Sequence, residues 1–370
     1  MYNFDEIIDR KGTNALNTDG FRGYIFHSGP EKVFPYKDDE FVRMWVADME
    51  FGVAPEILDE LRKRIDRRIF GYTGVYTHDY YNSFSKWCKE HYDWSFPEEE
   101  LCFTPGIIPA LYQLTETLCN KDEKVLMNTP AYGYFLHSAE YAGVGVLQSP
   151  LKKKPDGTFE LDYENFEQQC ANPQCKMVFW CNPQNPTGRM WTEEELRKLS
   201  ALCARYGVKI VADEIHADFE MPGYHHTPML TIDPNAVAFV SSTKTFNLAG
   251  LRNSSMLFGN AGDKAKMESF MRGVGIGEIN LFGMLAQTAA YRHGAVWLDA
   301  LLEYLDGTRA LVEKTIAERM PRAKVSRLEG TYLMWLDLRA YGLTQEEIRR
   351  KLVFEAAAAL NDGTAFGAEG

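Results

Sequence analysis

Three polar residues, each placed near the end of a strand-like run, could together perform chemistry on a bound cofactor. Asp213 ends one apolar run, Lys244 follows another, and Asn185 stands in an Asn-Pro-Thr-Gly turn after a third. An amine, a carboxylate and an amide arranged in this way suit pyridoxal phosphate (PLP). The amine would form a Schiff base, the carboxylate would keep the ring nitrogen protonated, and the amide would bond a ring oxygen. Lys244 must then be partly neutral, which burial and nearby cations would favour.

The phosphate of such a cofactor needs hydrogen-bond donors at the start of a helix. The turn at 104–109 joins a predicted strand to a predicted helix. Within it Gly106 permits close approach of the backbone, and the amides of Ile107 and Ile108 would face the phosphate. Further candidate groups are the hydroxyls of Ser241 and Thr243, the guanidinium of Arg252, and the ring of Tyr132, which would stack on the cofactor.

Each of these residues also has an ordinary structural interpretation when it is taken alone. Lys244 could be a solvated surface lysine, Asp213 a helix N-cap, and Asn185 a turn former in an Asn-Pro dipeptide. Gly106 could mark a plain turn, and Tyr132 could belong to the core. The combination of all five in one chain favours a cofactor site.

A regular alternation of strands and helices surrounds these residues. The predicted elements are strands at 101–104, 124–128, 144–148, 176–181, 208–212 and 237–241, and helices at 55–65, 79–92, 109–119, 132–141 and 192–207, the last begun by a Thr192–Glu195 capping box. This rhythm predicts an α/β fold with a mostly parallel sheet and helices on both faces. Sites in such sheets lie at the carboxyl ends of strands, where Asn185, Asp213 and Lys244 fall.

The two ends of the chain differ from this pattern. Residues 1–44 are rich in Gly, Asp and Asn and predict an arm with short elements. The predicted C-terminal elements are helices at 282–318 and 344–360 and a strand at 332–338. We therefore expect a large PLP-binding domain at 45–285 and a smaller α+β domain at 286–370, to which the N-terminal arm contributes.

Composition limits the class of partner. The 370 residues are 45% hydrophobic and 25% charged, which is typical of a globular protein with a large core. The net charge of −12 argues against nucleic acid or an anionic membrane as partner but permits a local pocket for a small anion. Seven cysteines without a Cys-x-x-Cys pair favour reduced thiols over a metal site. No signal peptide or spanning segment is apparent, so we expect a cytoplasmic protein.

The motifs together resemble the fold-type I PLP enzymes of the aspartate aminotransferase superfamily. The Asn-Pro-Thr-Gly turn, Asp213, and the Ser-x-x-Lys string ending at Lys244 with Arg252 beyond it stand in register. Within that group the strings at 45–51, Trp-Val-Ala-Asp-Met-Glu-Phe, and at 243–251, Thr-Lys-Thr-Phe-Asn-Leu-Ala-Gly-Leu, are similar to the MalY/PatB-type C–S lyases, also called cystathionine β-lyases. The resemblance spans nearly the whole chain and implies PLP as cofactor and a sheet of the seven-stranded type.

The resemblance also implies an assembly and further site residues. It implies a homodimer with active sites at the subunit interface, where Tyr72 would reach the phosphate held by the neighbouring subunit. Trp45, Ala47 and Asp48 would lie near the substrate, and His216 would sit under the cofactor.

The chain departs from the family pattern in two places. Residues 14–35 replace a shorter Ser-x-Lys-Trp-like stretch, which could reshape the substrate entrance. Family members also carry, near the C-terminus, an arginine that binds the substrate carboxylate, and the 370 residues lack it. We expect it to lie beyond this sequence; the alternative is that another cation, such as Arg22, replaces it.

These features together indicate a PLP-dependent C–S β-lyase that converts cystathionine or a cysteine-type amino acid to thiol, pyruvate and ammonia. Lys244 would take the Cα proton, and Asp213 would stabilise the resulting carbanion. An aminotransferase shares the first steps and is the main alternative, because the core residues do not separate the two outcomes. A regulatory protein that binds a transcription factor and a PLP-free scaffold are further alternatives.

Overall fold

The computed structural model describes residues 2–29, 31–276 and 279–367. Within these ranges the chain forms eleven α-helices. They are α1 (Phe21–Ile25), α2 (Pro55–Asp66), α3 (Asp79–Tyr92), α4 (Ile107–Leu118), α5 (Gly133–Ala142), α6 (Tyr163–Cys170), α7 (Glu193–Tyr206), α8 (Ala261–Gly273), α9 (Leu281–His293), α10 (Ala295–Arg319) and α11 (Gln345–Phe354).

The same ranges contain thirteen strands. They are β1 (Val42–Met44), β2 (Leu101–Thr104), β3 (Lys124–Thr129), β4 (Gly145–Pro150), β5 (Lys152–Lys153), β6 (Phe159–Glu160), β7 (Cys175–Cys181), β8 (Lys209–Asp213), β9 (Val237–Val240), β10 (Ser254–Phe258), β11 (Lys324–Val325), β12 (Leu336–Asp337) and β13 (Ala358–Leu360).

Seven of these strands form a central sheet in the order β2-β10-β9-β8-β7-β3-β4. All neighbours are parallel except at β10, which runs antiparallel to both β2 and β9. The predicted mostly parallel, seven-stranded α/β sheet is thus confirmed. The register sets Asp213 beside Cys181 on one side and Phe239 on the other, so the carboxyl ends of β7, β8 and β9 meet at one edge.

Alternate side chains of the sheet enter two separate cores. In β7, Met177 and Phe179 pack against α4, α5 and α8, whereas Val178 and Trp180 pack against α6 and α7. Because helices cover both faces, the strands are apolar along their whole length rather than alternating with polar residues. This double cover leaves the ends of the strands as the place where polar side chains collect.

Local signals in the sequence define several helix ends. The side chain of Thr192 accepts a hydrogen bond from the Glu195 amide, and the carboxylate of Glu195 accepts one from the Thr192 amide, as the capping box predicts. Gly207 ends α7 in the left-handed conformation at φ +68. The predicted helix at 282–318 is instead two helices separated at Gly294, where a Cβ atom would lie 2.3 Å from the ring of Phe246.

Of two C-terminal predictions, the strand is wrong over most of its length and the helix is wrong in its C-terminal part. Of the predicted strand at 332–338, only β12 pairs, with β11. The predicted helix at 344–360 ends as α11 at Phe354, and β13 then pairs in parallel with β1. The Ala-rich run has a strong helix propensity, but Ala357 turns the chain at φ +49 and pairing with β1 satisfies the backbone instead.

The β1–β13 pair joins the N-terminal arm to the C-terminal part of the chain, with Val42 opposite Ala358. The domain boundaries after residues 44 and 285 stay a prediction, and Ala368–Gly370 lie outside the described residues. Among the residues described, no helix combines the length and the apolar character needed to cross a membrane.

Candidate active site

Lys244 lies in the turn that follows β9, and a half-buried carboxylate, that of Asp218, fixes this turn. The hydroxyl of the next residue, Thr245, donates to Asp218 over 2.5 Å. Asp218 also accepts hydrogen bonds from the indole of Trp87, over 2.9 Å, and from the hydroxyl of Tyr92. With three donors on one carboxylate, the backbone beside Lys244 has little freedom to move.

The amine of Lys244 points toward the segment just after the N-terminal arm, where it donates a hydrogen bond to the carbonyl of Ala47. Burial lowers the pKa of Lys244, while the charges of Asp48 and Asp213 act in the opposite direction. The main effect is desolvation, which disfavours the ammonium form. This environment therefore favours the neutral amine, the form that attack on a carbonyl requires.

Asp213 ends β8 with its side chain buried. Burial raises the pKa of its carboxyl group to about 7, although the Ile215 amide, 3.2 Å from Oδ1, and the charge of Lys244 oppose this shift. A carboxylate in this position gains stability from any cation that enters the site. A protonated ring nitrogen is such a cation.

His216 and Tyr132 border the same space. Burial and the charge of Lys244 lower the pKa of His216 to about 3, so its ring is neutral, and its Nδ1 has no hydrogen-bond partner among the described residues. Burial and then the charge of Asp213 raise the pKa of Tyr132. Both rings are therefore uncharged groups near the Lys244–Asp213 pair, as expected for residues that contact a flat ring.

Asn185 is held by a loop with many backbone contacts. The side chain of Gln184 donates to the carbonyl of Pro130 over 2.7 Å, and its oxygen accepts from the amide of Thr187 over 2.9 Å. The backbone amide of Asn185 donates to the sulfur of Cys181 over 3.4 Å. Within the described chain, the side-chain amide of Asn185 makes no hydrogen bond and stays free for a ligand.

The predicted phosphate donors gather at the ends of β2, β9 and β10. Ser254 pairs with Thr104 and Ser255 with Val240, so the segments beyond these residues share one edge. Gly106 is the N-cap of α4 with φ +148, a conformation that an L-residue rarely adopts. Ile107 and Ile108 are the first residues of α4, earlier than the start predicted at residue 109, so their amides are free of helical partners.

Two hydroxyls and a guanidinium complete this cradle. The Ser241 and Thr243 side chains lie 2.8 Å apart, and Ser241 donates to the carbonyl of Asn253 over 2.9 Å. Arg252 is exposed at φ +46 and forms no ion pair within the described ranges. A phosphate could accept hydrogen bonds here from helix amides, hydroxyls and an unpaired guanidinium, and the glycine turn leaves room for it. The residues present therefore fit PLP.

The predicted substrate residues lie where the arm meets the lysine. Trp45 is buried, and its indole N–H has no partner among the described residues. Asp48 forms an ion pair of 2.6 Å with Arg10, a contact that the sequence did not reveal. The alternative substrate cation, Arg22, is instead bound to Asp38 at 2.5 Å.

Tyr72 lies apart from these residues. Its side chain is 98% exposed, and no hydrogen bond within the described chain involves it. That the other predicted residues form one site stays a prediction, supported by the shared strand edge and the contacts given above.

Three functional neighbours were missed by sequence reasoning. Asp218 anchors the lysine turn, Tyr332 donates to the carbonyl of Ala47 over 3.0 Å, and Arg10 pairs with Asp48. Asp218 follows Asp213 in the same motif string, so that string could have identified it. Tyr332 begins the predicted strand at 332–338, which gave no sign of its contact with Ala47, and Arg10 belongs to a non-periodic segment with no local signal.

A mostly parallel sheet that presents a buried lysine, a buried carboxylate and a glycine turn at its edge is the arrangement of fold-type I PLP enzymes. The chain belongs to the family described as aminotransferase class I and II, which matches residues 40–370.

Individual relatives support this assignment over the full length. The chain is 33% identical over 374 residues to the cystathionine beta-lyase PatB of Bacillus subtilis, covering 100% of this chain and 93% of that protein. A PLP-bound C–S lyase from Staphylococcus hominis matches with a TM-score of 0.90 and 33% identity, over 99% of this chain and 90% of the other. A PLP-bound protein from Clostridium difficile, provisionally described as an aminotransferase, matches with a TM-score of 0.94 and 34% identity, over 100% and 93%.

Proposed function

We propose that the protein is a PLP-dependent C–S β-lyase that releases thiol, pyruvate and ammonia from amino acids of the cystathionine or cysteine type. The observation that carries the proposal is the pairing of Lys244, whose pKa burial lowers, with the buried carboxylate of Asp213 at one sheet edge. The lyase reaction, rather than another PLP reaction, is supported by the full-length similarity to PatB and to the Staphylococcus hominis enzyme.

When bound, PLP supplies a protonated ring that accepts electrons from the substrate Cα. Asp213 would hold the ring nitrogen in its protonated form, and Asn185 would donate to the ring oxygen. The amides of Ile107 and Ile108 would bind the phosphate. Tyr132 would cover one face of the ring and exclude water from it.

Lys244 would act twice. Its Nζ would be the point of attachment for the cofactor and, once a substrate amine replaces it there, would accept the Cα proton. The electron pair left on Cα would then form a double bond to Cβ, and the sulfur would leave as a thiolate with the electron pair of the Cβ–S bond. The Ala47 carbonyl, which accepts from Nζ, would keep the amine in position to receive this proton.

Transamination is the second candidate, because the Clostridium difficile structure carries that provisional description. The two reactions give different products. A C–S lyase converts cystathionine or S-methylcysteine to pyruvate, ammonia and thiol without an added amino acceptor. A keto acid that forms only when an acceptor is present, without ammonia or thiol, would replace the lyase by an aminotransferase.

We further propose a homodimer in which the Tyr72 side chain reaches the cofactor phosphate held by the neighbouring subunit. Its 98% exposure in one chain, beside the exposed Phe70 and Tyr76, supports a role outside its own subunit. Mixing the inactive variant Lys244→Ala with Tyr72→Ala tests this idea. Activity recovered in the mixture, above that of either variant alone, requires one intact site built from two chains; no recovery after subunit exchange would reject it.

A further inference from the structure

Tyr24 and Trp45 form an aromatic stack between α1 and the segment that follows β1. Their ring centroids are 4.6 Å apart and their planes differ by 28°. Trp45 is buried, and its carbonyl accepts from the side chain of Asn361 over 2.6 Å. It stands two residues before Ala47, the acceptor for Lys244. A short stretch of backbone therefore connects Trp45 to the carbonyl that accepts from the Lys244 amine.

The helix that carries Tyr24 is firmly seated. Phe21 of α1 packs against Phe26 and Phe41 with centroids 5.7 and 5.6 Å away. These rings belong to a buried cluster that also contains Trp45. Tyr24 itself is 48% exposed, so one face rests on Trp45 while the rest of the ring stays open.

Two further tyrosines extend the stack toward the cofactor side. Tyr134 lies 5.3 Å from Tyr132, centroid to centroid. Burial and then the proximity of Tyr134 raise the pKa of the Tyr24 hydroxyl, and burial, the charge of Asp213 and the proximity of Tyr134 and Tyr24 raise the pKa of Tyr132. The aromatic wall, defined as Tyr24, Trp45, Tyr132 and Tyr134, thus runs from the neighbourhood of Asp213 outward to solvent.

The chemistry of this wall favours one kind of substituent, because its surface is made of rings. The distal arm of cystathionine carries an ammonium, which ring faces can attract, and also a carboxylate, to which the rings offer no counter-charge, so desolvation of the carboxylate is costly. An apolar or aromatic group on sulfur instead gains contact with the rings, and it gives up no hydrogen bonds to water when it does so.

We infer that Tyr24, stacked on Trp45 and continued by Tyr134, determines specificity for amino acids whose sulfur carries an uncharged apolar or aromatic substituent. This inference rests on the proposed lyase function but concerns substrate choice alone. Tyr24 lies in the segment where the chain departs from the family pattern, so the preference belongs to this chain's own entrance.

The test compares S-benzylcysteine with S-methylcysteine, which share every reacting atom and differ in the group on sulfur. Two quantities are measured for wild type, Tyr24→Ala, Tyr24→Phe and Tyr134→Ala. The first is kcat/KM for thiol release, and the second is the dissociation constant from the change in cofactor absorbance on adding each compound. Tyr206→Ala, on the exposed end of α7 beside Glu167, is the matched control.

We expect wild type to prefer S-benzylcysteine. Tyr24→Ala should reduce the S-benzyl to S-methyl ratio roughly tenfold in both quantities, Tyr24→Phe should retain it, and Tyr206→Ala should not change it. Equal losses for both compounds, or an unchanged ratio in Tyr24→Ala and Tyr134→Ala, would overturn the inference. If the binding ratio falls as expected but no thiol is ever released, the specificity assignment stands and the proposed reaction fails.

Discussion

The amine of Lys244 donates a hydrogen bond to the carbonyl of Ala47, a residue 197 positions earlier in the chain. The same oxygen accepts from the hydroxyl of Tyr332 over 3.0 Å. A carbonyl has two lone pairs, so both donors are satisfied. Because this acceptor is neutral, it holds the amine in place without requiring the ammonium form, which is consistent with the lowered pKa of Lys244.

Replacing Lys244 by alanine tests whether this amine is the reacting group. Lys244→Ala removes both the covalent link to the cofactor and the base for the Cα proton, so thiol release should fall by about a thousandfold or more. The control is Lys86→Ala, whose amine lies 3.6 Å from Glu90 on the exposed face of α3. The rate of thiol release is measured for both variants and for wild type. A Lys244→Ala variant that keeps a tenth of the wild-type rate would exclude Lys244 as the reacting group.

The buried carboxyl of Asp213 should destabilise the cofactor-free protein at high pH. Its pKa is 3.8 when unfolded and about 7 when folded, so the folded state binds more protons between these values. The free energy of unfolding therefore decreases as pH rises from 4 to 7, by at most roughly 4 kcal/mol. Asp213→Asn removes this penalty, and the cofactor-free variant should gain stability over wild type at pH 8 but not at pH 4.

Urea denaturation of both cofactor-free proteins at the two pH values measures this effect. With PLP bound, the substitution should act in the opposite direction, because the ring nitrogen loses its counter-charge and the cofactor binds more weakly. A difference in stability that is the same at pH 4 and pH 8 would contradict the burial argument for Asp213.

The sheet and its chemistry could be predicted because both depend on local patterns. Asp213 and Lys244 follow apolar runs that are buried on both faces of the sheet. The Thr192–Glu195 capping box predicts the start of α7. Such signals need only neighbours in sequence, and the register of parallel strands then brings their ends together.

The parts that failed depend on contacts between distant segments. The residues around Ala358 have a high helix propensity, yet this segment pairs with β1 and forms the strand β13. The Arg10–Asp48 pair and the Tyr24–Trp45 stack join the arm to residues just beyond it, and no periodicity in the sequence indicates these contacts. Tertiary pairing decides such segments, and propensity alone cannot.

The glycine before α4 should be essential for holding the phosphate. At φ +148 an alanine is strained by about 1–3 kcal/mol, and relief of that strain would rotate the turn away from the amides of Ile107 and Ile108. Gly106→Ala should therefore raise the dissociation constant of PLP about tenfold or more. Titration of the cofactor-free protein by absorbance measures it.

Gly307→Ala is the matched control for this substitution. A Cβ atom there meets nothing within 4 Å, and the residue lies inside α10. Alanine in a helix should stabilise by up to about 1 kcal/mol without changing cofactor affinity. Equal PLP affinity in the two variants would show that the turn at Gly106 does not bind the phosphate.

A buried ion pair links the Asn185 loop to the C-terminal part of the chain. Arg189 lies 2.5 Å from Glu329 and 2.7 Å from Glu195, and the Arg189 and Glu329 side chains are only 12% and 4% exposed. The amides of Glu329 and Gly330 both donate to the carbonyl of Gly188 over 2.9 Å. Loss of the guanidinium would leave the Glu329 charge buried with one donor, the Met190 amide at 3.0 Å.

Arg189→Met should therefore lower the free energy of unfolding by about 3–5 kcal/mol, because an uncompensated buried charge is costly. Arg197→Met is the control: its guanidinium lies 2.6 Å from Glu193, but both side chains are more than half exposed, so its loss should cost at most about 0.5 kcal/mol. Urea denaturation of the two variants measures the difference. Because Asn185 lies in the loop that Arg189 braces, the first variant should also bind PLP more weakly, and equal stabilities in the two would show that the buried pair does not hold this loop.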